Sequence, residues 1–219
     1  MKVSTDSILL GSICTPESAK SVLDIGTGCG ILALMMAQKT NAVITGIDID
    51  SPSIEEASQN FAESPWSHRM NAICWDIEDF AKEPSPKFDL IIANPPYFSE
   101  NTHSLNDRRD QARNTNSLTF EKLLNAVDNL LTENGNFWLI LPPLAHKDFA
   151  VKATAKLFSS PQSVNICHIL GQSSVLIVSQ WRRFDPTCTH KVKTIAMYDE
   201  QRRHTDTFKA ITADFYHYL

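Results

Sequence analysis

The chain has 219 residues, of which 42% are hydrophobic, and this is typical of one globular domain. No apolar run is long enough to span a membrane, and the five cysteines contain no Cys-x-x-Cys pair. We therefore expect reduced thiols in a cytoplasm and no metal site. The net charge of −5 is uneven, because residues 1–100 carry 6 basic and 14 acidic side chains while residues 101–219 carry 14 and 11. A polyanionic partner would have to meet the second half.

The hydrophobic pattern of the first half alternates between strands and helices. A helix capped by Thr5 or Asp6 is predicted first, and Asp50 or Ser51 is predicted to cap a later helix that has Pro52 at its first position. Further helices are predicted over 30–38 and 120–131, the second ending at Asn134-Gly135. Such alternation predicts an α/β fold, a mostly parallel sheet covered on both faces.

Seven strands are predicted, and they are 21–25, 42–47, 71–75, 88–93, 137–141, 164–170 and 174–181. A helix is predicted near 146–158. The last two strands are joined by only Gly171-Gln172-Ser173, which suits antiparallel partners. One more strand is possible at 191–197, before an aromatic end at 208–218.

A glycine-rich turn, Asp24-Ile-Gly26-Thr-Gly28-Cys-Gly30, follows the first strand and opens a helix. Small residues there let the backbone approach a ligand, and the helix start offers free N–H groups. The spacing is not that of dinucleotide sites, and no P-loop Lys-Ser/Thr pair follows. The alternative is a plain, tight joint between strand and helix.

Two acids follow at the ends of the next strands. Asp48 can accept the hydroxyls of a ribose, whereas its neighbour Asp50 is better placed as a helix cap. Asp76 can accept a hydrogen bond from an adenine amino group, or it can cap the helix that begins after it. Together with the glycine turn, these acids predict a ligand crevice across three strand ends.

The fourth strand stops at Asn94-Pro95-Pro96, and Tyr97 and Phe98 follow. The prolines hold Asn94 and Pro95 extended at the carboxyl end of the strand, where open α/β sheets bind ligands. The alternative is a turn that only ends the strand.

These motifs resemble the S-adenosylmethionine-dependent methyltransferases of the Rossmann-like class I. More narrowly, Met1 to Gly11, Ser64-Pro-Trp66, and Gln111-Ala-Arg113 to Leu124 resemble the bacterial tRNA(Val) adenine-37 N6-methyltransferase family, and the likeness runs to Ala213-Asp-Phe-Tyr216. The resemblance implies one methyltransferase domain over 1–219, with 1–20 as a lid over cofactor and substrate and 182–219 as an extension. It also implies S-adenosylmethionine as the cofactor, tRNA as the substrate and a monomer.

The resemblance assigns roles to individual residues. The Asn94 side-chain oxygen and the Pro95 carbonyl each accept one hydrogen of the target amino group, and Tyr97 stacks on the base beside an apolar wall at Phe98. Thr5 and Asp6 are expected to contact the cofactor together with the residues of the crevice, which are Asp24, Gly26, Gly28, Asp48, Asp76 and Asn94. No catalytic histidine is expected, because the amine becomes acidic once it is methylated.

Two basic segments are candidates for RNA contact. The loop after Tyr97 contains Arg108, Arg109 and Arg113, although its acidic side chains bring its net charge to zero. A second patch is predicted in the carboxyl-terminal part of the chain and comprises Arg182, Arg183, Lys191, Lys193, Arg202 and Arg203.

Other functions remain open from the sequence. A protein glutamine N5-methyltransferase would present the same two amide hydrogens to Asn94 and Pro95, but such enzymes usually carry an amino-terminal helical domain, for which we expect no room before Ser21. DNA adenine and guanine-N2 are further methyl acceptors. A binding protein without turnover would hold RNA or cofactor on the same fold, and the intact motifs argue against it.

Overall fold

The computed structural model describes residues 4–16, 18–84, 86–96 and 118–216. The strands in these ranges are β1 (Ser21–Ile25), β2 (Val43–Asp48), β3 (Met70–Cys74), β4 (Phe88–Ala93), β5 (Leu131–Leu141), β6 (Phe158–Ile169), β7 (Ser174–Arg183) and β8 (Lys191–Tyr198). The helices are α1 (Thr5–Ile13), α2 (Ile31–Lys39), α3 (Ser51–Glu63), α4 (Ile77–Phe80), α5 (Phe120–Leu130), α6 (Pro143–Ala155) and α7 (Asp206–Thr212), with a 3-10 turn at Ser67–Arg69.

The strands form one sheet in the order β3-β2-β1-β4-β5-β7-β6-β8. Strand β7 is antiparallel to both of its neighbours, and the other pairs are parallel. The prediction of a mostly parallel sheet with an antiparallel strand is therefore confirmed. The sheet has eight strands instead of seven, because the possible strand at 191–197 does form and pairs with β6 from Gln162↔Lys191 to Ile169↔Tyr198.

Helices cover both faces of the sheet, as predicted. Side chains of a strand alternate between the faces, so the neighbours Val22 and Leu23 of β1 enter different hydrophobic clusters. One cluster lies under α1, α2, α3 and α7, and the other under α4, α5 and α6. In the ranges that the structure describes, none of these helices has the length and apolarity that crossing a bilayer requires.

The predicted end of α5 at Asn134-Gly135 is wrong. The helix ends at Leu130, and β5 begins at the next residue because Leu131 pairs with Phe88 of β4. The register shifts before Asn136, so the Asn-Gly pair lies in an irregular stretch of strand. A Cβ atom at Gly135 would lie 2.7 Å from Leu131 Cδ1, so this glycine makes room for the Leu131 side chain in the irregular strand and does not stop a helix.

The two predicted helix caps differ in outcome. Helix α1 is capped by Ser4, whose Oγ accepts the backbone N–H of Ser7 at 3.1 Å, and not by Thr5 or Asp6. Asp50 does cap α3, since its carboxylate accepts from the backbone N–H of Ser53 at 3.0 Å. Short polar side chains at these positions satisfy N–H groups that the first turn of a helix leaves unpaired.

Candidate active site

The predicted strand-end residues lie along one edge of the sheet. Ile25 of β1 pairs with Ile47 on one side and with Ala93 on the other, so Gly26 and Asn94 follow adjacent strands about 4.8 Å apart. Asp48 ends β2 beside Cys74 of β3, and Asp76 follows two residues later. The structure thus brings Gly26, Asp48, Asp76 and Asn94 together at the carboxyl edge of the parallel strands.

The glycine turn uses its glycines for two different purposes. Gly26 and Gly30 have φ angles of +71° and +84°, a region that favours glycine. A Cβ atom at Gly30 would lie 2.4 Å from the Phe61 ring of α3, so this glycine allows close packing. A Cβ atom at Gly26 would meet nothing within 4 Å, so the turn faces open space there.

Asp24 is a fully buried carboxyl group behind this turn. Its Oδ2 accepts from the Thr27 hydroxyl at 2.7 Å and from the Ala33 backbone N–H at 3.2 Å, whereas Oδ1 has no hydrogen-bond partner among the described residues. Burial raises the pKa of Asp24 to about 7 from an ordinary value of 3.8, the two hydrogen bonds oppose this, and the charge of Asp48 adds to it.

Asp48 fixes the turn and keeps capacity for a ligand. Its Oδ2 accepts from the backbone N–H of Gly28 at 3.0 Å, and its Oδ1 accepts from the backbone N–H of Asp50 at 3.0 Å. A carboxylate offers about four acceptor positions. The remaining positions can accept the two hydroxyls of a ribose.

Asp76 caps α4, which is the alternative that its sequence position left open. Its Oδ1 accepts from the backbone N–H groups of Glu78 at 2.7 Å and Asp79 at 3.4 Å. Both bonds use one carboxylate oxygen, so the cap does not conflict with a role for the second oxygen. Contact with an adenine amino group stays a prediction.

Two exposed apolar residues beside these acids were missed by the sequence analysis. Ile49 follows Asp48 and is 53% exposed, and Trp75 precedes Asp76 and is 43% exposed. Large apolar side chains this open to solvent, next to strand-end acids, can cover the flat faces of a heteroaromatic ring. An apolar residue adjoining each acid was the signal available in the sequence.

Asn94 contacts a residue that the sequence analysis also missed. Its Nδ2 donates a hydrogen bond to Ser7 Oγ of α1 at 3.1 Å. This contact occupies the donor arm of the carboxamide, and the oxygen that the two-acceptor hypothesis needs is on the other arm. Pro95 beside it is buried.

Other predicted site residues have different placements. Thr5 is exposed and Asp6 half-buried in the first turn of α1, and their contact with the cofactor stays a prediction. The helix itself packs into the core, with Leu9 and Leu10 fully buried. Five predicted residues lie outside the described ranges, and they are Tyr97, Phe98, Arg108, Arg109 and Arg113.

Arg182 and Arg183 lie at the opposite edge of the sheet. Strand β7 runs antiparallel to β5, with Trp181 beside Phe137, so its carboxyl end meets the amino ends of the parallel strands. Arg183 pairs with Asp128 of α5, and Arg182 pairs with Asp185 at 2.7 Å. The structure therefore does not bring these arginines to Asn94.

The second basic patch is divided by the same topology. Lys191 begins β8 at the amino edge, beside Gln162 of β6. Arg202 and Arg203 follow the carboxyl end of β8, where Arg203 pairs with Asp199 at 2.8 Å.

In the part of the chain that the structure describes, no group of three or more His, Cys, Asp or Glu side chains is arranged to hold a metal ion.

The residues at the carboxyl edge fit S-adenosylmethionine. Asp48 has acceptor positions for a ribose, and the buried Asp24 supports the turn beside it through Thr27 and Ala33. The open space at Gly26 admits a ligand close to the backbone. Ile49 and Trp75 supply exposed apolar surface for an adenine ring.

Comparison with known proteins gives relatives over the full length. The family model of the methyltransferase small domain matches residues 2–160. A tRNA1(Val) (adenine(37)-N6)-methyltransferase from Shewanella baltica (strain OS195) is 36% identical over 220 residues, covering 99% of this chain and 92% of that protein. The protein of the same name from Bacteroides fragilis (strain YCH46) is 34% identical, with 99% and 91% covered.

Solved structures share the fold at low identity. A protein described as a predicted O-methyltransferase from Agrobacterium tumefaciens aligns with a TM-score of 0.75 and 18% identity, covering 98% of each chain. The glycopeptide N-methyltransferase MtfA, complexed with S-adenosylmethionine, aligns with a TM-score of 0.60 and 11% identity, covering 83% of this chain and 100% of that one. The predicted Rossmann-like class I fold is thereby confirmed.

The chain belongs to the methyltransferase small domain family and, within it, to the tRNA1(Val) (adenine(37)-N6)-methyltransferase family of S-adenosylmethionine-dependent enzymes.

Proposed function

We propose that the chain methylates the N6 amino group of an adenine in tRNA, and that adenine 37 of tRNA1(Val) is its target. The observation that carries this proposal is the placement of Asn94 beside the glycine turn, through the pairing of Ala93 with Ile25. The names of relatives that match over nearly their whole length support the choice of tRNA.

An adenine amino nitrogen is a poor nucleophile, because its lone pair is delocalised into the ring. The site must therefore favour a pyramidal nitrogen whose lone pair points at the methyl group. The Asn94 side-chain oxygen and the Pro95 carbonyl can each accept one amino hydrogen, and both oppose the positive charge that develops on nitrogen. S-adenosylmethionine, when bound, supplies the electrophilic methyl group.

Rigidity of the two acceptors supports this role. Ala93, which precedes them, is fully buried and paired with β1, and Pro95 is buried with its φ angle fixed by its ring. Acceptors that do not reorganise hold the amine in a reactive geometry at little entropic cost. An unstacked base in an anticodon loop can enter such an edge more cheaply than a base in a duplex.

Radiolabelled methyl transfer to bulk tRNA, total protein and DNA in parallel tests the proposal. Substrates from cells that lack this activity are used, and the products are digested and separated by mass. We expect label in tRNA as N6-methyladenosine, and its loss when a tRNA1(Val) transcript carries guanine at position 37. Label found only in protein would overturn the proposal and favour the glutamine methyltransferase.

A further inference from the structure

We propose that Ser7 is a positioning residue for methyl transfer and that it orients the Asn94 carboxamide so that the oxygen faces the target amine. This inference rests on the proposed function, because it concerns the acceptor that the reaction needs. The two residues are 87 positions apart in the sequence and meet at 3.1 Å.

The Ser7 hydroxyl is well placed to accept from the carboxamide. Ser7 is 8% exposed, so little water competes for the contact. Its Oγ also lies 3.1 Å from Ser4 Oγ, and its backbone N–H donates to Ser4 Oγ at 3.1 Å. The helix cap therefore holds the serine backbone and hydroxyl in one local network.

Helix α1 is fixed at its other end as well. Lys39 Nζ donates to the backbone carbonyls of Gly11 at 2.9 Å, Ser12 at 3.0 Å and Cys14 at 2.6 Å. A Cβ atom at Gly11 would lie 2.4 Å from Met35 Sδ, which shows how closely α1 approaches α2. These contacts tie α1 to α2, and Leu9 and Leu10 of α1 are fully buried, so the helix that carries Ser7 is held against the core.

The chemical consequence follows from the asymmetry of a carboxamide. Its two arms have nearly the same shape, but one is a double donor and the other an acceptor. With Nδ2 held by Ser7, the oxygen of Asn94 is available to the amine. In the flipped state an N–H group would face the amine and its hydrogens, and only the Pro95 carbonyl would remain as an acceptor. The observed network, in which Ser7 Oγ accepts from both Ser4 Oγ and Asn94 Nδ2, corresponds to the productive state, and the flipped state would require the Ser7 hydroxyl to donate to Asn94 instead.

Kinetics of Ser7→Ala test this role, with Ser12→Ala as the matched control on the same helix. Ser12 Oγ is buried without a hydrogen-bond partner among the described residues, so its loss removes no contact with Asn94. We expect kcat to fall about tenfold in Ser7→Ala, the value of one lost orienting hydrogen bond, with KM and cofactor Kd within about twofold. Ser7→Thr, which restores a hydroxyl, should recover most of the rate.

A double variant separates positioning from a general structural effect. If Ser7 acts through the carboxamide, single-turnover rates of Asn94→Ala and of the Ser7→Ala/Asn94→Ala pair should agree within about twofold. An undiminished tenfold loss in the Asn94→Ala background would overturn the proposal, as would a wild-type kcat in Ser7→Ala. If Ser7→Ala melts early, Ser7→Cys keeps the side-chain volume with a weaker acceptor and provides the same comparison.

Side-chain amide NMR gives a readout that needs no substrate. The Asn94 NH₂ signals are assigned by their absence in Asn94→Ala, and their shift and exchange with water are then compared in Ser7→Ala. We expect an upfield move and faster exchange when the hydroxyl is removed. Unchanged signals in Ser7→Ala would overturn the Ser7 contact. If the signals do change but the wild-type enzyme does not methylate tRNA, only the proposed function is overturned.

Discussion

Replacing Asp24 by Asn should flatten the dependence of stability on pH. The folded chain holds the Asp24 proton up to about pH 7, whereas the unfolded chain releases it near 3.8. Between these values the folded state binds more protons than the unfolded state, so the free energy of unfolding falls as pH rises. The difference between 3.8 and about 7, at about 1.4 kcal/mol for each pKa unit, corresponds to about 4 kcal/mol in total.

Urea denaturation of the cofactor-free protein from pH 5 to pH 8 measures this effect. The free energy of unfolding of the wild type should fall by about 3 kcal/mol across that range. The free energy of unfolding of Asp24→Asn should not show this fall, because asparagine does not ionise. Thr27→Val removes a hydrogen bond that lowers the pKa of Asp24, so the decline should continue to higher pH in that variant. A constant difference in the free energy of unfolding between wild type and Asp24→Asn at every pH would show that Asp24 is not protonated in the folded state across this range.

Three further predictions concern the crevice and the opposite edge. Asp48→Ala should weaken cofactor binding by at least tenfold in calorimetry, because it removes the ribose acceptor and the bond to the glycine turn; unchanged affinity would exclude the ribose assignment. Gly30→Ala should lower the free energy of unfolding by about 1–3 kcal/mol, because its Cβ would collide with Phe61, and a thermal melt equal to wild type would contradict this. Arg183→Ala should lower the free energy of unfolding, because it loses the ion pair with Asp128, yet it should leave the KM for tRNA within about twofold. A large rise in KM would show that RNA reaches the amino edge of the sheet.

Local signals in the sequence were sufficient for the elements that carry the cofactor crevice. The strands at Ser21–Ile25 and Phe88–Ala93 are short apolar runs between breakers, and both were predicted at their observed bounds. Asp50 caps α3 as its position before Pro52 predicted. These features depend on neighbouring residues, and such patterns can be recognised without knowledge of the tertiary structure.

Features that depend on distant pairing were not predictable in the same way. The irregular strand at Gly135 exists because Leu131 pairs with Phe88 of another strand, and a single sequence shows only an Asn-Gly pair. Ser7 has the sequence context of an ordinary helical serine, and only the tertiary structure brings it to Asn94. The placement of Arg182 and Arg183 depends on the antiparallel direction of β7, which puts both arginines at the sheet edge opposite to Asn94.

Asn94 and Pro95 are proposed to accept the hydrogens of an adenine amino group in tRNA. The decisive measurement is the N6-methyladenosine content of tRNA1(Val) after incubation with wild type or Asn94→Ala, by nucleoside mass analysis alongside the cofactor Kd. We expect Asn94→Ala to bind the cofactor within a few-fold of wild type while methyl transfer falls by about two orders of magnitude or more. Near-normal N6-methyladenosine formation by Asn94→Ala would contradict this proposal.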